Sequence, residues 1–428
     1  MSRICFLPSR ALTTVVTTLA LLPLTAYSAT TNGQQVDAQV NLATFDQVWT
    51  TVRDEHYDPQ LGGIDWEAVR DELRPKAEQA RSRSALRGIL NGMLSRLQQS
   101  HLAVMPGAAT PSTAEGDAFT PPSEQTWDSG SGFAVALIEG QAQVASVEPD
   151  SAVAQAGVQA GWQIARVGDH AVPRFCETTG AVNFPLLRAS GASIVVEFID
   201  PDGGPLEVEI PFGKRRGREY QFEGMLPIQV WIEHELIEPD IGYIAFNWFF
   251  DPVLVMSQFH AAMSSFQRSA GVIIDIRGNS GGIGSMASGI IAMFNSQEDA
   301  YLGTTIMRNS EQKSHVPPCA TPFSRPVAVL IDGASGSAAE IFAAGMRDVG
   351  GARLFGQTTT GAVLPAAFAR LPNGDSLLYI IANYETVSGE TLEGTGVVPD
   401  RVTSRRAGSD PYEDEALQLA IDWILGNE

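Results

Sequence analysis

Hydrophobic positions along this chain follow two periods, and the change between them divides it. From about residue 42 to 100 apolar residues recur at helical spacing. Phe45, Val48, Trp49 and Val52 share one face, and Trp66, Val69 and Leu73 share another behind Asp65, a capping residue. Leu86, Ile89, Leu90, Met93, Leu94 and Leu97 form a third face, with Ser84 as its candidate cap. This helical unit ends at Gln98-Gln99-Ser100-His101, before a short apolar run at 102–104. Residues 106–128 are rich in Pro, Gly, Ser and Thr and read as a linker.

The pattern then shortens. Between 129 and 213 it predicts strands at 133–137 and 142–147, a short helix at 151–156, and a hairpin of 194–199 with 206–210 around Asp202-Gly203-Gly204. From about 238 onward strands and helices alternate. Residues 241–246 read as a strand, 254–266 as a helix, and 271–276 as a strand buried on both faces. Arg277-Gly278-Asn279-Ser280-Gly281-Gly282 follows, then a helix through 290–294. The stretch 327–348 repeats that arrangement. An apolar strand at 327–331 enters Gly333-Ala334-Ser335-Gly336, and Ser337 precedes a helix with Ile341, Phe342 and Met346 spaced for one face.

A serine at such a turn has its hydroxyl held outward, beside free backbone N–H groups able to stabilise an oxyanion. Ser335 and Ser337 are equally suited to capping the helix. Of the two, Ser337 is the better placed to head it. Glu340 is explained as a first-turn acid facing the helix dipole.

Composition narrows the class. A chain of 428 residues, 44% hydrophobic and 18% charged, can bury two or three domains. A net charge of -21 argues against nucleic acid and anionic membranes as partners. The N-terminus reads as an export signal, residues 1–28. Arg3 and Arg10 precede an apolar run at 11–24, and Ala26 and Ser28 precede Ala29 as a small-residue cleavage site. The run is short for a membrane span and contains Pro23. An exported protein, periplasmic or secreted and without stable membrane insertion, is expected. It would keep Cys176 and Cys319, as a disulfide or as two thiols. His56, His170, His234, His260 and His315 show no metal-ligand spacing, and neither metal nor cofactor is expected.

Several segments together resemble a known family. SGFAVAL, VEPDSAVAQAGVQAGWQIARVGDHAV and IVVEFIDPDG resemble a PDZ domain, and Ser131, Gly132, Phe133, Ala134 and Val135 match its carboxylate-binding loop. With DEHYDP, LQQSH, GVIIDIRGNSGG and VAVLIDGASGSAAEIFAAGMRD, the chain resembles the C-terminal processing (tail-specific) serine proteases. That resemblance implies Ser337 as nucleophile, with an oxyanion hole from the N–H of Ala338 and of Gly281 or Gly282. The implied fold class is α/β: a crotonase-like catalytic core at 214–428, an N-terminal helical unit at 29–105, and an inserted PDZ-like β domain at 129–213.

One departure selects a branch. The family's usual lysine position falls on Ala362, and Lys76, Lys214 and Lys313 all precede Ser337. The tricorn-like branch is similar instead in using histidine and glutamate. His101 in LQQSH and Glu393 in EGTGVVPD match its motifs. Whether Glu393 meets His101 directly or through another polar side chain stays open, though a carboxylate neighbour should raise the histidine pKa. The expected activity is hydrolysis of peptides or tail-bearing proteins, and Ala338 suggests a small or apolar residue before the cleaved bond. The alternatives are a non-catalytic binding protein on the same fold and a PDZ adaptor. Oligomeric state is left open, a homo-oligomer included.

Overall fold

The computed structural model describes residues 37–106, 132–138, 141–147, 151–173, 193–211, 217–222, 225, 227–403 and 414–427. The export segment, most of the linker, Ser131 and Cys176 lie outside the described residues. Cys319 carries a free thiol.

The core is a six-stranded sheet in the order Ile232–Ile237, Ile241–Phe246, Gly271–Asp275, Val327–Ile331, Arg353–Gly356, Arg401–Val402. The first pair is antiparallel and the other four pairings are parallel. Gly271–Asp275 and Val327–Ile331 are buried at every position, because helices cover both faces of the sheet. Alternate residues go to opposite sides. Val272, Ile274, Val327, Val329 and Ile331 pack with Phe259, Ala287, Ile290 and Phe342. Ile273, Ala328 and Leu330 pack with Ala416, Ala420 and Ile424 of the C-terminal helix Glu415–Leu425.

Helices Ala38–Glu55, Trp66–Glu78 and Arg83–Leu94 form the N-terminal unit. Asp65 caps the second as expected, its side chain accepting the Ala68 N–H at 3.0 Å. Ser82, not Ser84, caps the third, accepting the Ala85 N–H at 3.0 Å. The extra residues let the chain enter from Ser82 in extended conformation. This unit does not close its core alone. Leu371 and Leu377 from the C-terminal half are buried among its leucines, and strand Ala103–Met105 pairs with Ser376–Ile380.

The described residues between 133 and 211 form a second sheet, strands in the order Phe133–Ile138, Gln141–Val147, Gln163–Val167, Ser193–Ile199, Pro205–Pro211, with His170–Ala171 beside the third. It has its own core around Val144, Val153, Val167, Val196 and Phe198.

Two readings of the last 190 residues need correction. Alternation of strand and helix fails over 300–316 and 366–386, where a hairpin of Ala300–Met307 with Ser310–Val316 continues to Ala382–Thr386, and Ala366–Arg370 pairs with Ser376–Ile380. Most of Ser310–Val316 is exposed and polar, so its sequence carries no apolar alternation to read. Helix Ala338–Asp348 is also buried almost all round, with Ile341 only partly covered, which is why five of its eleven positions are alanine or glycine.

Candidate active site

Strands Gly271–Asp275 and Val327–Ile331 are parallel neighbours, so the turns leaving their C-terminal ends emerge side by side. They are laced together. The Gly278 N–H donates to Asp332 Oδ1 at 2.9 Å, and the Gly336 N–H donates to the Asn279 carbonyl at 3.0 Å. The buried Asn279 side chain donates to the Phe246 carbonyl at 3.0 Å.

The two serines separate here. Ser335 is fully buried, its hydroxyl donating to the Ile276 carbonyl at 2.9 Å and accepting the Asp332 N–H at 3.1 Å. It holds the turn together. Ser337 is partly exposed and sits at φ 55°, ψ -121°. A non-glycine residue in that region is strained and is held there by its surroundings. Its N–H donates to the Ala362 carbonyl at 2.8 Å and to Glu340 Oε2 at 3.0 Å.

Gly281 lies against this serine. A Cβ there would stand 2.6 Å from the Ser337 Cβ and 2.8 Å from the Ala338 nitrogen, so only glycine fits. The Gly281 N–H, however, donates to Asn279 Oδ1 at 2.9 Å. The N–H groups of Ala338 and Gly282 have no acceptor among the described residues.

His101 and Glu393, far apart in the chain, are linked through Ser100. His101 has φ 55°, and its Nδ1 lies 2.7 Å from the Ser100 Oγ. The Ser100 hydroxyl donates to Glu393 Oε2 at 2.9 Å, and the Ser100 N–H donates to Glu393 Oε1 at 2.7 Å. A hydroxyl has one proton. Since Ser100 gives its proton to the carboxylate, it accepts from His101 Nδ1–H, which leaves the lone pair of neutral His101 on Nε2. Glu393 Oε2 also accepts the Val363 N–H at 3.0 Å, one residue beyond the Ala362 carbonyl that holds Ser337. Residues 361–363 therefore join the serine to the glutamate.

Ser100 was visible only as the residue before the histidine, and its bridging role had no sequence signal. The expected rise in the histidine pKa is also reversed. Burial pushes His101 below its ordinary value of 6.5 and outweighs the opposing charge of Glu393. Buried His56 has its Nδ1 3.1 Å from both the N–H and the carbonyl of Asp58, and its Nε2 2.8 Å from Gln99 Oε1. This steadies the Gln98–His101 turn. Among the described residues no cluster of His, Cys, Asp and Glu could hold a metal ion.

In the β unit, Gly132 has φ 69°, and its carbonyl accepts the Ser151 hydroxyl at 3.3 Å. Phe133, Ala134 and Val135 begin a strand at the edge of their sheet.

The chain is similar to known proteases. Residues 240–403 match Peptidase family S41, and residues 41–95 match the Tricorn protease C1 domain. A carboxyl-terminal-processing protease of Synechocystis sp. is 25% identical over 211 residues, covering 48% of this chain and 49% of its own length. A tricorn protease homolog of Streptomyces coelicolor is 24% identical over 409 residues, covering 90% of this chain and 32% of its own length. The chain thus spans half or less of the curated relatives it matches most strongly. The solved photosystem II D1 C-terminal processing protease superposes with a TM-score of 0.58 at 18% identity, covering 88% of this chain and 95% of that one, a likeness of fold.

Proposed function

We propose that this chain, which carries a tricorn C1 domain and a peptidase family S41 domain, is a serine endopeptidase with Ser337 as nucleophile and His101 as general base. The observation that carries this is the hydrogen-bond chain from His101 through Ser100 to Glu393. It leaves the basic lone pair on Nε2, the nitrogen a serine base must use.

The Ser337 Oγ attacks the carbonyl carbon of the scissile peptide, and its proton passes to His101 Nε2. The carbonyl π pair moves onto oxygen, where the Ala338 N–H and the uncommitted N–H of Gly282 stabilise it. Collapse of the intermediate breaks the C–N bond, and the leaving amine takes the proton from His101. Water then repeats the steps on the acyl-enzyme and releases Ser337. Glu393 holds Ser100 by two bonds and supports the positive charge that develops on the imidazole.

In this reading the core is crotonase-like, and the 129–213 unit is a PDZ-like module that selects free C-termini. Phe133–Ile138 comes first in the strand order among the described residues, and a peptide strand would add at such an end. Substrates are peptides or tail-bearing proteins, met after export. No helix of the described residues is long and apolar enough to cross a membrane.

A fluorophosphonate probe tests the assignment. Stoichiometric labelling of the folded protein, mapped to Ser337 and abolished by Ser337→Ala, is expected. Absence of labelling would instead favour a binding protein on the same fold.

A further inference from the structure

Glu340 is a fully buried carboxylate that the reaction above does not use. Burial pushes its pKa up, opposed by the hydrogen bonds it accepts. No lysine or arginine accompanies it among the described residues. A buried carboxylate without a counter-charge is costly, and its hydrogen bonds must make up for the loss of water.

Those bonds fill both oxygens. Oε2 accepts the N–H of Ser337 at 3.0 Å and of Ala362 at 2.9 Å. Oε1 accepts the Gly361 N–H at 2.8 Å and the Thr359 hydroxyl at 2.6 Å. Only one of these donors belongs to the turn that starts Glu340's own helix. The other three come from residues 359–362, so helix capping does not account for the residue. The Thr359 hydroxyl in turn accepts the Val397 N–H at 2.6 Å, and the Gly394 N–H donates to the Gly361 carbonyl at 2.8 Å. The carboxylate therefore faces the strained nucleophile on one side and the loop of Glu393 on the other.

We propose that Glu340 is a positioning residue, fixing the backbone of Ser337 and carrying that position across residues 359–362 to the loop that bears Glu393. The inference rests on the reading of Ser337 as nucleophile. Each carboxylate oxygen takes two donors, so the acceptors cannot be halved. A glutamine in either orientation turns an NH2 group toward two donors. An aspartate keeps both acceptors on an arm one methylene shorter.

The test compares wild type, Glu340→Gln and Glu340→Asp in the full chain. It measures fluorophosphonate labelling rate at Ser337 per folded molecule, and kcat and KM for a peptide. Glu340→Gln should lose about 100-fold in both labelling rate and kcat with KM within about twofold, the effect of a nucleophile moved by a fraction of an ångström to an ångström. Glu340→Asp should recover part of that loss. A purely structural role would lower the melting temperature and leave both rates per folded molecule at wild type, which overturns the proposal. Should Glu340→Gln not fold, Thr359→Val removes one donor and keeps the carboxylate. It should slow labelling about tenfold, with Thr359→Ser restoring the rate, and a wild-type rate in Thr359→Val also overturns the proposal. Wild-type protein that does not label at Ser337 sinks the nucleophile reading itself, a distinct failure.

Discussion

The two halves of the site are built by different means. The half that holds Ser337 rests on adjacent parallel strands, and its turns are bonded to each other through Gly278, Asn279, Asp332 and Gly336. The half that holds His101 has only a short strand of a smaller sheet beside it. His101 sits on a turn between the helical unit and a three-residue strand, and Glu393 reaches that turn from a loop late in the chain. Each half contains one carboxylate that accepts backbone N–H groups from a different segment. The Ser337 turn thus has both a sheet and a carboxylate to hold it, whereas the His101 turn depends chiefly on its carboxylate.

Substitutions in the two halves test this contrast. The largest difference should lie within the nucleophile turn. Ser337→Ala should remove hydrolysis by about 10⁴-fold or more while the protein stays folded. Ser335→Ala should instead cost about 1–3 kcal/mol of stability, through its buried bonds to Ile276 and Asp332, and leave folded protein able to label. Thermal melts and probe labelling on the same samples read both, and the reverse outcome would exchange the two roles.

In the His101 half, His101→Ala should lower kcat about 100-fold or more with little change in KM. A wild-type kcat would remove histidine from the mechanism. Glu393→Gln should lose less, because the base remains. It should also move the acid limb of kcat/KM. The base works neutral, so activity falls as pH drops through its pKa, which burial holds below 6.5. Removing the Glu393 charge removes what raises that pKa, so the acid limb should shift to still lower pH. A shift to higher pH would contradict the clamp.

The smallest effect belongs to the distant β unit. Amidating the C-terminus of a peptide substrate removes the charge that the Gly132–Phe133 region is proposed to hold. KM should rise severalfold with kcat unchanged, and equal kinetics for both peptides would exclude carboxylate recognition.

The Ser337 half was legible because its signals are local. A run of apolar residues, glycines at a turn and a helix heading all fall within 327–348, and each has a physical reading of its own. Glu393 and His101 lie far apart in sequence, and no periodicity connects them. Only the resemblance of LQQSH and EGTGVVPD to family motifs brought them together. Ser100 and Glu340 show the limit more sharply. A serine before a histidine and a glutamate in a helix's first turn each have an ordinary explanation. What sets these two apart is hydrogen bonds to residues 293 and 21 positions away. The hairpin at 300–316 was missed for a different reason, since its outer strand faces solvent and need not alternate.

The pairing of the N-terminal helices with residues 371–380 has a consequence for biosynthesis. The ribosome releases the helical unit first, but Leu371 and Leu377 complete its core, and Ser376–Ile380 supplies the partner for Ala103–Met105. His101 gains its clamp only when Glu393 has also been made. A nascent chain therefore completes the surroundings of its helical unit only once residues 371–380 have been made, and those of His101 only once Glu393 has followed.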